Sequence, residues 1–343
     1  MAYTTINKST LHFNTKLYTG NGGTNAQTGV GFQPDWLWLK KRSGTGHHFS
    51  FDAVRGADKR ILISDSSTAE SSPANYVSSF DTDGFTLGSD SDVNGNGATF
   101  ASWNWKANGQ GSSNSDGTIN STYTSANTTS GFSIVSYTGT GSAGTVGHGL
   151  GTTPSMVWIF NRTDGGNAHI YHKALGSTQY LLHASNLGAQ TYAPVGIGTL
   201  TSTTFSVGTV SGVNGSSKNY VAYVFAEKTG FSRISSYTGN GGTNGTFVYT
   251  GFRPAWIYRK IYSGSDSHML VDDKRLGRNP DQAYLFPNVT QAESDIERID
   301  IVSNGFKLRT TDGGDNGSGS TYIYMAFASA PLVGTNNVPC TAR

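Results

Sequence analysis

Apolar residues in this chain gather in short blocks that alternate with polar positions or run unbroken, and glycine-rich polar stretches separate them. Phe85-Thr-Leu and Phe205-Ser-Val alternate, as half-buried strands do. Trp36-Leu-Trp-Leu is nearly continuous and predicts a central strand covered on both faces. The proline before it sits at a strand start, where its missing N–H costs least. Asn94-Gly and Asn214-Gly predict hairpin turns, because Asn-Gly tolerates the positive φ that such turns need. A single helical turn is predicted over Gln291–Arg298, too short to act as a pillar. These blocks describe an all-β chain.

The pattern recurs. Gly31-Phe-Gln-Pro-Asp-Trp-Leu-Trp-Leu-Lys40 returns as Gly151-Thr-Thr-Pro-Ser-Met-Val-Trp-Ile-Phe160 and as Gly251-Phe-Arg-Pro-Ala-Trp-Ile-Tyr-Arg-Lys260. Each copy follows a Tyr-Thr-Gly signature beginning at Tyr18, Tyr137 or Tyr237. Each closes on an aromatic block: Phe100–Trp105, Tyr220–Phe225 or Tyr322–Phe327. Landmarks kept in register imply one supersecondary unit used in tandem. The expected architecture is three β-sandwich, jelly-roll-like repeats of about 90–100 residues each, large enough to bury a core.

The expected boundaries are an N-terminal arm at 1–16 and repeat 1 at 17–107. A flexible Gly/Ser/Asn-rich linker at 108–130 precedes repeat 2 at 131–226. Repeat 3 covers 230–328 and a tail 329–343. The short Glu227-Lys-Thr connection implies that repeats 2 and 3 dock as a rigid pair.

Composition narrows the function classes. Of 343 residues only 13% are charged, and the net charge is +2, so there is no clustered basic footprint for nucleic acid. Lys40-Lys41-Arg42 ends a strand and reads as a solvated edge. Cys340 is the only cysteine, which rules out an intramolecular disulfide. The N-terminus lacks the shape of a signal peptide, and no apolar stretch approaches the length of a membrane span. No membrane insertion is expected.

Candidate chemistry is sparse. Gly139-Thr-Gly-Ser-Ala-Gly144 spells a dinucleotide fingerprint, but the glycine-rich sequence after it cannot form the helix that would receive a pyrophosphate, so it reads as a turn. Asp90, Asp92 and Asn94 match the opening of a calcium loop whose twelfth position is Ala101 instead of glutamate, which leaves a weak metal candidate beside the turn reading. His169 and His172 lie three apart on a strand and point to opposite faces. His47, His169 and His268 fall in similar places in the three repeats and read as structural. No serine has a nucleophile-elbow context. Asp52, Glu70, Asp81 and Asp83 are available acids, echoed by Asp272, Asp273 and Glu293, but nothing calls for a glycosidase cleft. No cofactor is expected. Trp36, Trp38, Trp103, Trp105, Trp158 and Trp256 remain as candidate sugar-stacking aromatics, with core packing as the commoner use.

Tyr18-Thr-Gly-Asn-Gly22, the Gly-Phe-x-Pro-Asp-x-x-Trp-x-Lys segment, Phe51-Asp-Ala-Val-Arg-Gly56, Ser79–Gly88, Ala101–Lys106 and the Ala326-Phe-Ala-Ser-Ala-Pro-Leu-Val ending together resemble a family of marine tailed-bacteriophage virion proteins. The resemblance spans nearly the whole chain and is weakest in repeat 2. It implies a non-enzymatic exterior protein of the fibre, knob or decoration kind, made in the host cytoplasm and carried on the virion. The implied partners are other capsid or tail proteins, in multiple copies or as a homo-oligomer. The alternatives are a glycan-binding adhesion module and a depolymerase-type enzyme. Residues 1–16 and 331–343 are the expected docking segments.

Overall fold

The computed structural model describes residues 4–275, 279, 283–331 and 333. The chain is an all-β protein of β-sandwiches, with strands assigned below to units 1, 2 and 3.

Unit 1 contains β1 (Phe13–Thr19), β2 (Asn25–Gln27), β3 (Trp36–Lys41) and β4 (His48–Asp52). It continues through β5 (Gly56–Leu62), β6 (Val77–Asp81), β7 (Gly84–Leu87) and β8 (Thr99–Trp105). Its main sheet has the order β1-β8-β3-β4-β5, and β2-β7-β6 forms the opposing sheet. Between them lies a core of Leu37, Leu39, Phe49, Phe51, Val77, Phe85 and Leu87.

Unit 2 contains β9 (Ser112–Asn114), β10 (Ser121–Asn127), β11 (Phe132–Thr138), β12 (Gly144–Gly147) and β13 (Met156–Asn161). It ends with β14 (His169–His172), β15 (Gln179–Leu182), β16 (Gln190–Thr191), β17 (Thr204–Val207) and β18 (Asn219–Phe225). Unit 3 contains β19 (Ser232–Thr238), β20 (Phe247–Tyr249), β21 (Phe252–Ile261), β22 (Met269–Asp272) and β23 (Ala283–Tyr284). It closes with β24 (Ser294–Asp295), β25 (Ile299–Val302), β26 (Gly305–Leu308) and β27 (Thr321–Pro331). The strand order of unit 1 recurs as β11-β18-β13-β14-β15 within the main sheet of unit 2 and as β19-β27-β21-β22 in unit 3.

Register makes the correspondence residue by residue. Trp36 pairs with Trp105 and Asp52, Met156 with Phe225 and His172, and Trp256 with Phe327 and Asp272. Pro34 and Pro154 precede their strands, whereas Pro254 lies inside β21 at a bulge, where no ladder bond is lost.

Several expectations change. The segment 108–130 is not a flexible linker: β10 pairs along β11, β9 pairs with β10, and Tyr123 packs toward the central core. Ladder bonds to a free sheet edge satisfy a backbone that composition alone assigned to solvent. The arm before residue 17 is not bare either, since Ile6 and Phe13 are buried. Gln291–Arg298 forms no helix and contains β24. The tail beyond residue 333 lies outside the described residues.

Asn94-Gly and Asn214-Gly are not hairpin turns. Each ends a one-turn helix, α1 (Ser91–Asn94) and α2 (Ser211–Asn214), with α3 (Gly313–Asn316) in unit 3. The following Gly95 and Gly215 have φ of −55° and −62°, so no left-handed residue is required. The asparagine is kept for its side chain. Asn94 Nδ2 donates to Gly23 O at 2.6 Å and Gly88 O at 2.7 Å, while its Oδ1 accepts from Asn21 N at 3.0 Å. Asn214 and Asn316 bond the matching loops in the same way. The signature tyrosines complete this knot: Tyr18, Tyr137 and Tyr237 donate to the carbonyls of Val93, Val213 and Asp315 at 2.6, 2.6 and 2.8 Å.

Candidate functional site

Each main sheet is covered on both faces. The second face carries the tryptophans, and the three second faces meet. Trp36, Trp38, Trp103 and Trp105 of unit 1, Trp158, Tyr223 and Phe225 of unit 2, and Trp256, Tyr258 and Phe327 of unit 3 share one buried cluster. Trp36 stacks on Tyr223 at 4.3 Å, Trp38 meets Trp158 edge-on at 5.6 Å, and Trp105 meets Trp256 edge-on at 5.5 Å. All six tryptophans are at most 1% exposed. They cannot stack on a surface sugar, and the adhesion reading of these residues is corrected. Exposing this centre to water would forfeit a large apolar burial.

Around this centre the units close into a ring through one repeated contact. Glu70 N donates to Arg162 O at 3.0 Å, Ala189 N to Tyr262 O at 2.8 Å, and Glu293 N to Arg42 O at 3.1 Å. These bonds link unit 1 to 2, 2 to 3, and 3 to 1. Units 2 and 3 are therefore not a privileged pair.

At the first junction Arg55 Nε donates to Asp52 at 2.5 Å and its Nη1 to Glu70 at 2.9 Å. Arg162 of unit 2 clamps Glu70 with two bonds of 2.8 Å, and the Tyr223 hydroxyl donates to Asp52 at 2.7 Å. At the third junction Arg275, Asp272, Glu293, Arg42 and Trp103 repeat this arrangement, with bonds of 2.6 to 2.9 Å. Burial alone would raise the Glu70 and Glu293 carboxyls. The arginines outweigh it and hold both below the usual range. The second junction lacks this ion-pair network: His172, Leu175 and Ala189 stand where Asp52, Arg55 and Glu70 stand in unit 1, and His172 Nε2 lies 3.4 Å from Tyr324 O.

The acids weighed for catalysis are thus structural here. Glu70 and Glu293 are ion-paired across junctions, Asp52 and Asp272 pair with Arg55 and Arg275 of their own units, Asp273 pairs with Arg253 at 2.9 Å, and Asp83 accepts from Gly29 N and Gly31 N. Asp81 bonds Ser79 and Thr86. Asp90 caps α1 by accepting from Asp92 N, and Asp92 accepts from the Tyr76 hydroxyl at 2.7 Å. Asn94 is spent on its loop knot. No group of three or more His, Cys, Asp or Glu suited to a metal occurs among the described residues.

The histidines need a different alignment. By register His48, Ala168 and His268 correspond, not His47, His169 and His268. His48 Nδ1 accepts from Trp38 Nε1 at 3.0 Å, and the His183 and His268 rings lie 4.9 Å apart. Burial pushes His172 and His183 down to about 3, and lowers His48 and His268 well below the ordinary value. His169 faces the other way, over a cleft of about 330 Å³ on the surface of unit 2. Lysines 40 and 260 bridge junctions too, donating to Thr290 O and Asn186 O, and burial lowers both to about 8.

The architecture defines a class: a single chain whose β-sandwiches close on one another around a shared aromatic centre. The chain belongs to the family described as a domain of unknown function (DUF7483), which it matches over residues 8–331. No curated protein and no solved structure matches it.

Proposed function

We propose that this protein is a non-enzymatic structural component of the exterior of a tailed-phage virion, a compact appendage that docks on capsid or tail. One observation carries the reading: the interior charges are used in shape. The Asp52–Arg55–Glu70–Arg162 network and its counterpart around Glu293 lock one unit to the next, as a building block that must hold a fixed outline requires. The sequence resemblance to virion proteins supports the same reading. So do the outward aromatics of β20, Phe247 and Tyr249, which are 46% and 55% exposed on an edge strand and suit contact with a neighbouring protein. A squat ring suits a docked knob better than a free-standing shaft. Cryo-electron microscopy of particles made with and without the gene product tests this. Loss of capsid-surface density is the expected result, loss from the tail moves the site of docking, and unchanged particles defeat the proposal.

A further inference from the structure

Unit 2 breaks step with its neighbours on the surface beside His169. In unit 1 the corresponding residue, Phe49, packs edge-on against Tyr76 at 5.6 Å. The Tyr76 hydroxyl bonds Asp92, and the Arg60 guanidinium lies 4.8 Å over its ring, so side chains fill the space. In unit 3 the corresponding space beside Gly314 holds Met269 and Asp266, whose atoms lie within 2.6 Å of where a Cβ would sit. Unit 2 has lost both fillers. Val195, whose carbonyl accepts from Gly208 N as that of Tyr76 does from Gly88 N, replaces the tyrosine, and Gly212 replaces Asp92. A Cβ on Gly212 would strike the His169 ring at 2.2 Å.

The result is the 330 Å³ cleft, continued past Tyr180 and Tyr192 by a second of about 120 Å³. Tyr180 stacks on His169 at 5.2 Å, and Tyr192 is 54% exposed. Two lining polar atoms, His169 Nδ1 and Asn167 Oδ1, are buried without a well-formed hydrogen bond, the imidazole having only the Asn167 backbone beside it. Leaving such atoms unmatched is costly, so they call for a ligand that can hydrogen-bond. Burial holds His169 down to about 4, so at neutral pH it offers no positive charge. The carboxylate of Asp164 stands at the rim, engaged by Lys218 at 2.7 Å. An anion finds no dedicated cation here.

We propose that this double cleft of unit 2 binds a neutral saccharide of two or more sugar units. Tyrosine rings would take the C–H faces of the sugar, and hydroxyls, which both donate and accept, would satisfy His169 Nδ1 and Asn167 Oδ1 whichever tautomer the imidazole adopts. None of the lining residues belongs to the junction ion pairs, so the success or failure of this site is separate from that of the virion reading.

The test is ligand-observed saturation-transfer NMR on the full chain. Maltose, cellobiose, lactose and chitobiose serve as neutral probes, and a hyaluronan disaccharide as the acidic one. At least one neutral disaccharide should show transfer, with the acidic probe at least about tenfold weaker. Tyr192→Ala, a half-exposed position that spares the fold, should weaken binding at least about tenfold, and His169→Phe, which restores the residue of unit 1, should do the same. Transfer to none of the neutral probes, equal binding of the acidic one, or binding untouched in both variants overturns the proposal. Tryptophan fluorescence is a poor readout, because all six indoles are in the centre.

Discussion

Glu70 and Arg162, 92 positions apart in the chain, meet in a two-pronged ion pair with both bonds at 2.8 Å. Glu293 and Arg42 form the same clamp across 251 positions. One contact thus joins consecutive units, and its twin joins the last unit to the first.

Glu70→Gln should therefore destabilise the chain by about 3 kcal/mol. This is the low end for breaking a buried pair, because Arg162 is partly solvated while Arg55 is not. Urea denaturation checks it, and a loss under about 1 kcal/mol would show that the clamp contributes no more than a surface pair.

A second buried pair occurs inside unit 3, where Arg259 meets Asp315 and donates to the Tyr284 hydroxyl at 2.7 Å. By register units 1 and 2 place Leu39 with Val93, and Ile159 with Val213, at these two positions. Arg259→Leu alone should cost about 3 kcal/mol, because the buried Asp315 carboxylate then keeps only Arg298, at 3.2 Å. Adding Asp315→Val should recover most of that loss. Chemical denaturation of the single and double variants decides it, and additive losses would contradict the exchange.

Acid should loosen the molecule in a defined window. His172 and His183 have folded pKa values near 3, below the unfolded value of about 6.5. The folded state therefore binds fewer protons, and the stability these residues contribute is complete above about pH 6.5 and drains away as pH falls toward 3. Each should add about 1.4 kcal/mol per pH unit to the slope within that window. His183→Phe should flatten the curve by about one such increment. A wild-type midpoint that stays level between pH 7 and 5 would be inconsistent with neutral buried imidazoles.

The aromatic centre makes a prediction about the N-terminal segment. Phe13 stacks on Phe327 at 5.0 Å and lies 4.9 Å from Trp105. Phe13→Ala should cost about 3–5 kcal/mol, and removing residues 1–16 should cost at least as much. Circular dichroism melting of both forms checks this, and a melting temperature that does not move would show that the stack is dispensable.

Much of the architecture was readable from periodicity. The unbroken Trp36–Leu39 block is buried on both faces, and along β8 Trp103 and Trp105 face the shared centre while Phe100 lies in the sandwich core. The identity of the second covering layer was not readable. A strand buried on both sides does not say what lies on either, and ring closure depends on pairs such as Arg42 and Glu293 that no local spacing links. The Asn-Gly landmarks were found for the wrong reason, since the turn signal is shared by a helical turn whose asparagine points inward. The cleft leaves no motif. It emerges only when register sets Val195 and Gly212 beside Tyr76 and Asp92, so its signal is two missing side chains.

The stack of Phe13 on Phe327 has a topological consequence. Where the opening and closing strands of a chain are neighbours, covalent order becomes separable from spatial order. Joining Thr4 to Pro331 with a flexible tether and cutting between Glu227 and Lys228 should yield a circular permutant that folds to the same shape, with unit 3 synthesised first.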